Sequence, residues 1–406
     1  MNDVYTPKQL ELLRIWCRGE LRYLNILSGS VRSGKTWISL VLWAFWVASM
    51  PKDGNYLMTA KTITSLRRNC LDLLQEQVGA KNFTYNLSRK EGRLFGRLIY
   101  LEGCNDARSE SKIRGMTLHG AYCDELTQFT HDFFEMLLTR LSVPKAKLFA
   151  TTNPDSPKHW LWAQYLERRD ELDLLYLEFL IEDNTFLDPE FVERQKLLHR
   201  GVFYDRFILG RWVLAEGLIY LAQANGEGVV PEGPQRRYTR YFVSVDYGTV
   251  NPFSAGLWGY SGGVWYRLRE YYWDSRKKAR QLTDGEYYTA LDSFIGGLPV
   301  DAIIIDPSAA SFITCIRRAG KYRSVPADND VMNGIRRTAE AFAAGKIKVN
   351  ECCTNTIAEF GAYRWDEDAG KDAPIKENDH AMDDIRYFVN TVVHKDTAGV
   401  YRNVRV

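Results

Sequence analysis

The 406-residue sequence is short of several features that would narrow its class at once. Its seven cysteines are scattered, and the only adjacent pair, Cys352 and Cys353, has neither zinc-ligand nor redox spacing, which argues against a disulfide framework or a cysteine metal site. No low-complexity tract is present, and 45% apolar with 26% charged residues excludes wholesale disorder and fibrous architectures. The most hydrophobic run, "WISLVLWAFWVASM" (37–50), is too short to cross a bilayer and reads as a core helix. The first residues, "MNDVYTPKQLELL", lack the basic start and apolar stretch of a secretory signal, so a reducing cytoplasm is expected. A large excess of one charge is missing too: the formal net charge is +2, so any polyanion contact must be local. Candidate patches are "SLRRN" at Arg67 and Arg68, and "SRKKAR" with Arg276 to Arg280; each reads equally well as a solvated charged loop.

A chain of this length is comfortable with two cores, so two domains are expected. In the front half, Gly29 to Thr36 ("GSVRSGKT") fits G-x-x-x-x-G-K-[ST] between the strand-like "YLNIL" and the apolar helix. In such a loop, with Ser30, Arg32 and Ser33 between Gly29 and Gly34, backbone N–H groups curl around a β-phosphate. Lys35 reaches the β and γ oxygens and Thr36 binds Mg²⁺. "GAYCDE" predicts a buried parallel strand, Gly120 to Cys123, carrying Asp124 as Mg²⁺ partner and Glu125 as the base that orients the attacking water. "KLFATTNP" predicts another strand, whose polar end at Thr151, Thr152 and Asn153 either senses the γ-phosphate or forms a simple turn. Charge building up on the transferred phosphoryl group needs a cation. Arg32 is the candidate within the loop; Arg114, in "SKIRG", is either a finger acting on a neighbouring subunit or a surface residue.

The expected organisation is a P-loop ATPase domain at 1–183, a helical subdomain and linker at 184–234, and a second domain at 235–406. Apolar residues Phe191, Leu197, Leu198, Phe203 and Phe207 are expected to pack the helical part on the ATPase sheet. In the back half "RYFVSVDYG" predicts a strand ending in Asp246, continued by "PFSAGLWGY" and "GVWYRLREYYW" as an antiparallel meander. "VDAIIIDPSA" predicts a buried parallel strand ending in Asp306. "NDHAMDDIRYFVNTVV" starts a helix with Met382, Ile385, Phe388, Val389 and Val392 on its core face and Asp379, His380, Asp383 and Asp384 in its first turn. Two strand-end carboxylates and further acids on a late helix are what two divalent cations, Mg²⁺ or Mn²⁺, need for phosphodiester cleavage. Capped strands and a helix N-terminal charge effect would leave the same pattern.

Taken in order, "GSVRSGKT", "GAYCDE", "TTNP", "VSVDYG", "IIIDPS" and "DHAMDDIRY" resemble the large terminase subunit of tailed bacteriophages over nearly the whole chain. The resemblance implies an α/β protein: an N-terminal P-loop NTPase with a mostly parallel sheet and helices on both faces, then a C-terminal ribonuclease-H-like nuclease with a mixed sheet. It implies ATP-driven translocation of double-stranded DNA into a procapsid and endonucleolytic cleavage of concatemers, using ATP with Mg²⁺ and two nuclease cations. Implied partners are DNA, a portal protein, a small terminase subunit and further copies in a five-membered ring, in the cytoplasm of the bacterial host and away from membranes. By the same resemblance, Thr151 to Asn153 couple hydrolysis to DNA movement, Asp246, Asp306 and Asp383 hold the nuclease metals, and His380 lies beside them. Helical phase leaves Asp383 and Asp384 open as the third ligand; the family match favours Asp383. The rival enzyme is a helicase-nuclease or DNA-repair ATPase, which calls for helicase motifs in a second P-loop-like domain that are not found after residue 180. The rival outside catalysis is a nucleotide switch with structural acids.

Overall fold

The computed structural model describes residues 4–105, 109–233, 236–249, 251–369 and 371–394, so the expected boundary at 234–235 lies outside the described residues. The chain divides into two compact units, Met1–Lys196 with Arg200–Leu214, and Leu197–His199 with Ala215–Val406. Both are α/β. The stretch 184–234, expected as one helical subdomain and linker, is divided between them. Val31 N donates to Phe207 O (3.0 Å) in the first unit. Val229–Val230 joins a sheet of the second.

The first unit is built on β1 (Leu24–Gly29), β2 (Asn55–Ala60), β3 (Phe83–Asn86), β4 (Glu91–Leu94), β5 (Arg97–Gly103), β6 (Gly120–Cys123), β7 (Lys147–Thr152) and β8 (Leu174–Phe179). They stand in the order β3-β4-β5-β2-β6-β7-β1-β8. Pairing is parallel from β5 across to β8, and β3 and β4 add an antiparallel edge. Strand β1 is buried at all six positions, the burial expected of a parallel strand covered on both faces. The helix Lys35–Ser49 lies on this sheet, with Trp43 and Trp46 packed edge-on and tilted against Tyr56 and Phe149. The helix Pro189–Leu198 does not provide the expected core face. None of its residues is buried, and Leu197 is 74% exposed. Of the apolar residues expected there, Phe203 is the buried one.

The second unit contains β9 (Val229–Val230), β10 (Arg240–Asp246), β11 (Phe253–Ser261), β12 (Val264–Trp273), β13 (Val300–Ile305), β14 (Ser324–Pro326) and β15 (Ile347–Asn350), in the order β14-β13-β10-β11-β12-β15-β9. The meander β10-β11-β12 is antiparallel, and its second turn is Gly262-Gly263 with φ of 58° and 85°. Left-handed backbone at both central residues is what a two-residue turn of this twist requires. Strands β13 and β14 continue parallel to β10. Taken in chain order, β10 to β14 stand 3-2-1-4-5 with the second antiparallel, which is the ribonuclease-H-like arrangement.

The helix His380–Phe388 packs on β10 and β11, with Phe388 stacked on Trp258 at 4.1 Å between ring centres. Its core face is wider than apolar periodicity implies, because Asp384 is fully buried in it. Asp384 accepts from both Nη atoms of Arg267, and from the hydroxyls of Ser244 (2.9 Å) and Ser254 (2.5 Å). Burial works against the Arg267 charge, and the Asp384 carboxylate more than offsets it, raising the Arg267 pKa. Glu359 replaces an N-cap side chain for the same helix, accepting from the amides of Ala381 (2.7 Å) and Met382 (3.3 Å). Removing one partner of a buried pair strands the other charge. Asp384→Ala is therefore expected to lose about 3–5 kcal/mol of stability in urea unfolding of the full chain; a loss below about 1 kcal/mol would show that the pair does not anchor the helix.

Candidate active sites

The first site forms at the carboxyl edge of β1, β6 and β7. Left-handed backbone at Arg32 (φ 59°) and Gly34 (φ 82°) curls the loop between β1 and the helix that starts at Lys35. At Gly29 a Cβ would lie 1.9 Å from Phe179 O, so this position tolerates only glycine. Ser30 N donates to the same carbonyl (2.9 Å). Ser33 Oγ is buried without a hydrogen-bond partner among the described residues, and Thr36 is half-buried in the first helical turn. Lys35 Nζ donates to Ser30 O (2.9 Å) and to Asn153 Oδ1 (2.7 Å). Burial pushes the Lys35 ammonium down to about 8, opposed by the charges of Asp124 and Glu125. An orphaned hydroxyl and a buried, under-neutralised ammonium in a glycine loop fit the phosphates of a nucleotide.

Asp124 and Glu125 follow β6. Thr151 donates its hydroxyl to Asp124 Oδ1 (2.8 Å), and Asn69 Nδ2 donates to Oδ2 (3.0 Å). Glu125 sits in left-handed backbone (φ 55°), its N–H donating to Thr151 Oγ1 (3.2 Å). Such backbone in a non-glycine residue concentrates at working sites. Burial, then the Asp124 charge, raise the Glu125 pKa, while Lys35, Arg68 and Lys61 pull it down. Thr152 Oγ1 accepts from Thr127 N (3.2 Å), so both threonines tie the end of β7 to the turn after β6. Arg32 is exposed, and its carbonyl accepts from Asn184 Nδ2 (2.8 Å). Arg114 is an exposed residue paired with Glu110 (3.1 Å) and is not part of this cluster.

Two contributors here were not read from the sequence. Asn69 lies in a π-helical turn, Arg67–Leu71, that aims it at Asp124, and no local pattern announces such a turn. Gln9 closes a capping box with Thr6, and its Nε2 would lie 2.9 Å from a Cβ on Gly34. The "TPKQ" spacing carried that signal.

The second site is a cleft of about 490 Å³ in the second unit, lined by Asp246, Asp379, His380 and Asp383 among others. Asp246 ends β10 and Asp306 follows β13; Val245 pairs with Ile305, so the two acids are next in a parallel register on neighbouring strands. His380 Nδ1 lies 2.8 Å from Asp246 Oδ2. Burial, the largest cause, pushes the Asp246 carboxyl up to about 6; His380 pulls it down and the Asp383 charge pushes it up. Asp383 meets Arg386 (2.8 Å) and Lys376 (3.5 Å). Asp306 does not line the cleft. Its carboxylate accepts from Ser308 N (2.7 Å), Asn329 (3.1 Å) and the Tyr387 hydroxyl (3.2 Å). Burial acts to raise its pKa, but those hydrogen bonds outweigh it and hold Asp306 below the usual carboxylate range.

Tyr387 donates to Asp306 (3.2 Å), and its hydroxyl pKa is raised by burial first and then by the Asp246 and Asp383 charges. His380, Asp383 and Tyr387 share one helical face at i, i+3 and i+7, a spacing visible in the sequence. The doublet is divided: Asp383 faces the cleft and Asp384 the core. Hard carboxylate oxygens, with that of Asp246 desolvated and beside the Asp383 charge, fit Mg²⁺ or Mn²⁺. The described set whose ligand atoms all come within 4.8 Å of one another is a different one, His131, Asp132 and Glu135 on a largely exposed helical face.

A glycine-loop nucleotide cradle with its acidic partner, followed by an acid cleft on a ribonuclease-H-like sheet, defines an ATPase joined to a nuclease. The family model for "Terminase large subunit, T4likevirus-type, N-terminal" matches residues 26–224. The large terminase of a thermophilic bacteriophage, solved with ADP, is 39% identical, with TM-score 0.89 over 96% of this chain and 100% of that one. The structure of that same terminase with ATP-gamma-S matches at TM-score 0.88 and 39% identity, covering 96% and 99%. The large terminase subunit of Escherichia phage T5 is 26% identical over 158 residues, 37% of this chain but only 35% of that protein's length. The chain belongs to the phage large terminase family, the motors of viral DNA packaging.

Because Lys35 has its pKa lowered to about 8, it is charged below that pH and loses its proton as pH rises through it. The dissociation constant of metal-free ADP should therefore rise between about pH 7.5 and 9.5, by up to about tenfold per unit once the lysine is neutral. Titration calorimetry checks this, and a flat profile counters the assignment of Lys35 to the phosphates.

Proposed function

We propose that the first unit hydrolyses ATP to drive double-stranded DNA into a procapsid and that the cleft of the second cuts the concatemer. The observation that carries this reading is the convergence of Asp246, His380 and Asp383 on one cleft, with Asp306 next in register. The activities divide between an ATPase domain at 1–183 and a nuclease domain at 235–406, joined by the segment between.

In the first site Lys35 exchanges Asn153 for the β and γ oxygens of ATP, so loss of the γ-phosphate is reported to the end of β7. Gly29, Ser30, Ser33 and Gly34 cradle the phosphates, and Thr36 and Asp124 hold Mg²⁺. Glu125, whose pKa is raised, orients the attacking water. Arg32 offsets transition-state charge from within the loop, and Arg114, exposed on the surface, is available to a neighbouring subunit. The nucleotide complexes of the thermophilic phage relative support this reading.

In the second site Asp246, Asp306 and Asp383 would hold two divalent cations, Mg²⁺ or Mn²⁺, which would supply activation of the attacking water and stabilisation of the leaving oxygen. His380 orients the Asp246 carboxylate through its 2.8 Å contact, and Tyr387 holds Asp306. Asp384 is a positioning residue that keeps the helix in phase. The motor works as a ring of five on a portal protein, supplied with DNA by a small terminase subunit, in the host cytoplasm. Among the described residues no helix is long and apolar enough to cross a membrane.

Asp246→Ala should lower plasmid cleavage in Mn²⁺ by on the order of 10²–10³-fold, the scale of several kcal/mol of transition-state stabilisation, with an unchanged melting temperature. Unaltered cleavage would remove the metal site from contention. Lys35→Ala should abolish ATP hydrolysis and packaging while the full chain still cuts plasmid; loss of cleavage as well would mean that the two activities are not separable by domain.

A further inference from the structure

The basic stretch at 276–280 belongs to neither site as described so far, and the fold divides it. Arg276 and Lys277 line the same cleft as Asp246, His380 and Asp383. Arg280 instead meets Glu286 (2.6 Å), and Lys278 lies 5.9 Å from the centre of the Trp273 ring. The turn that carries the first two is tied at several points. Asp274 Oδ1 accepts from the amides of Arg276 (3.0 Å) and Lys277 (3.1 Å), and Arg280 N donates to Ser275 O (3.1 Å). Trp273 Nε1 donates to Arg280 O (3.1 Å), and Ser275 between them is buried. Both side chains therefore leave the backbone at fixed points just after β12. Arg276 meets a neutral amide oxygen, that of Asn251 (3.2 Å), and the Lys277 side chain is 81% exposed, 3.5 Å from Asp274.

A nucleic-acid strand entering this cleft brings one negative charge per nucleotide toward Asp246, Asp379 and Asp383. Cations held by those acids act at the bond being cut; the phosphates on either side of it still need partners. A protein with a net charge of +2 must supply them locally. We propose that Arg276 and Lys277 form the phosphate-binding wall of this cleft, taking backbone phosphates next to the scissile bond and setting the strand's register without reading its sequence. The proposal rests on the nuclease reading of the same cleft.

The test uses the full chain. Binding of a short fluorescent DNA duplex is measured with chelator present over a series of KCl concentrations, and cleavage of the same duplex is measured with Mn²⁺. For R276A/K277A the slope of log K against log[salt] should be shallower than that of the unsubstituted chain by about 2, at roughly 0.9 per phosphate contact. KM should rise with kcat nearly unchanged, and Arg276→Lys with Lys277→Arg should restore the slope. Lys278→Ala, on the same turn but outside the cleft, should keep the original slope. An unchanged slope in the double alanine variant overturns the proposal, as does an equal drop from Lys278→Ala alone. If the slope falls as expected but no divalent ion supports cleavage by the unsubstituted chain, the phosphate wall stands and the nuclease reading fails.

Discussion

Strand direction is the constraint on which both sites depend. In the first unit β6, β7 and β1 run parallel, with Cys123 opposite Ala150 and Thr152 opposite Ser28. Everything that follows these strands, from the glycine loop to Asp124, Glu125 and Asn153, emerges at one edge. In the second unit the same geometry holds for β10 and β13, and Asp246 and Asp306 leave the sheet side by side. An antiparallel partner at either point would send one member of each set to the opposite edge. Parallel strands need long crossovers, and these carry the elements that cover the sheet faces and dry the sites.

Lys35 and Asp124 at such an edge are buried, and each must be partnered. Lys35 is held by Ser30 O and Asn153, and Asp124 by Thr151 and Asn69. These contacts are exchangeable, because the partner of each charged group is neutral. Asp384 and Arg267 are different: a charged pair, fully buried and bonded through both guanidinium nitrogens, is not exchangeable and acts as an anchor. Two adjacent aspartates thus do opposite work. Successive positions on a helix point about 100° apart, and one rotation of that size carries the side chain from the cleft to the core.

Much of this was legible in the residues. The loop motif, the strand-end acids, the antiparallel meander and the parallel strand beside it are local patterns whose period and punctuation survive in one dimension. The role of Asp384 was not legible, because polar residues are normally assigned to the solvent face and its partner Arg267 lies far away on β12. Asn69 was missed because a π-helical turn has no sequence signature, and the helix Pro189–Leu198 was given a core face because its apolar residues suit one, although none is buried.

The sequence by itself determined which groups this protein presents: an anion-binding loop is specified by the φ angles that glycine permits, and hard oxygen donors by carboxylates at strand ends. Only the tertiary structure decided which carboxylate of the Asp383–Asp384 doublet faces the cleft, which two cations of the 276–280 stretch stand beside it, and how the segment 184–234 is divided. Those outcomes depend on contacts between residues distant in the chain, whose pairing follows from packing the whole sheet and is not encoded within any local window.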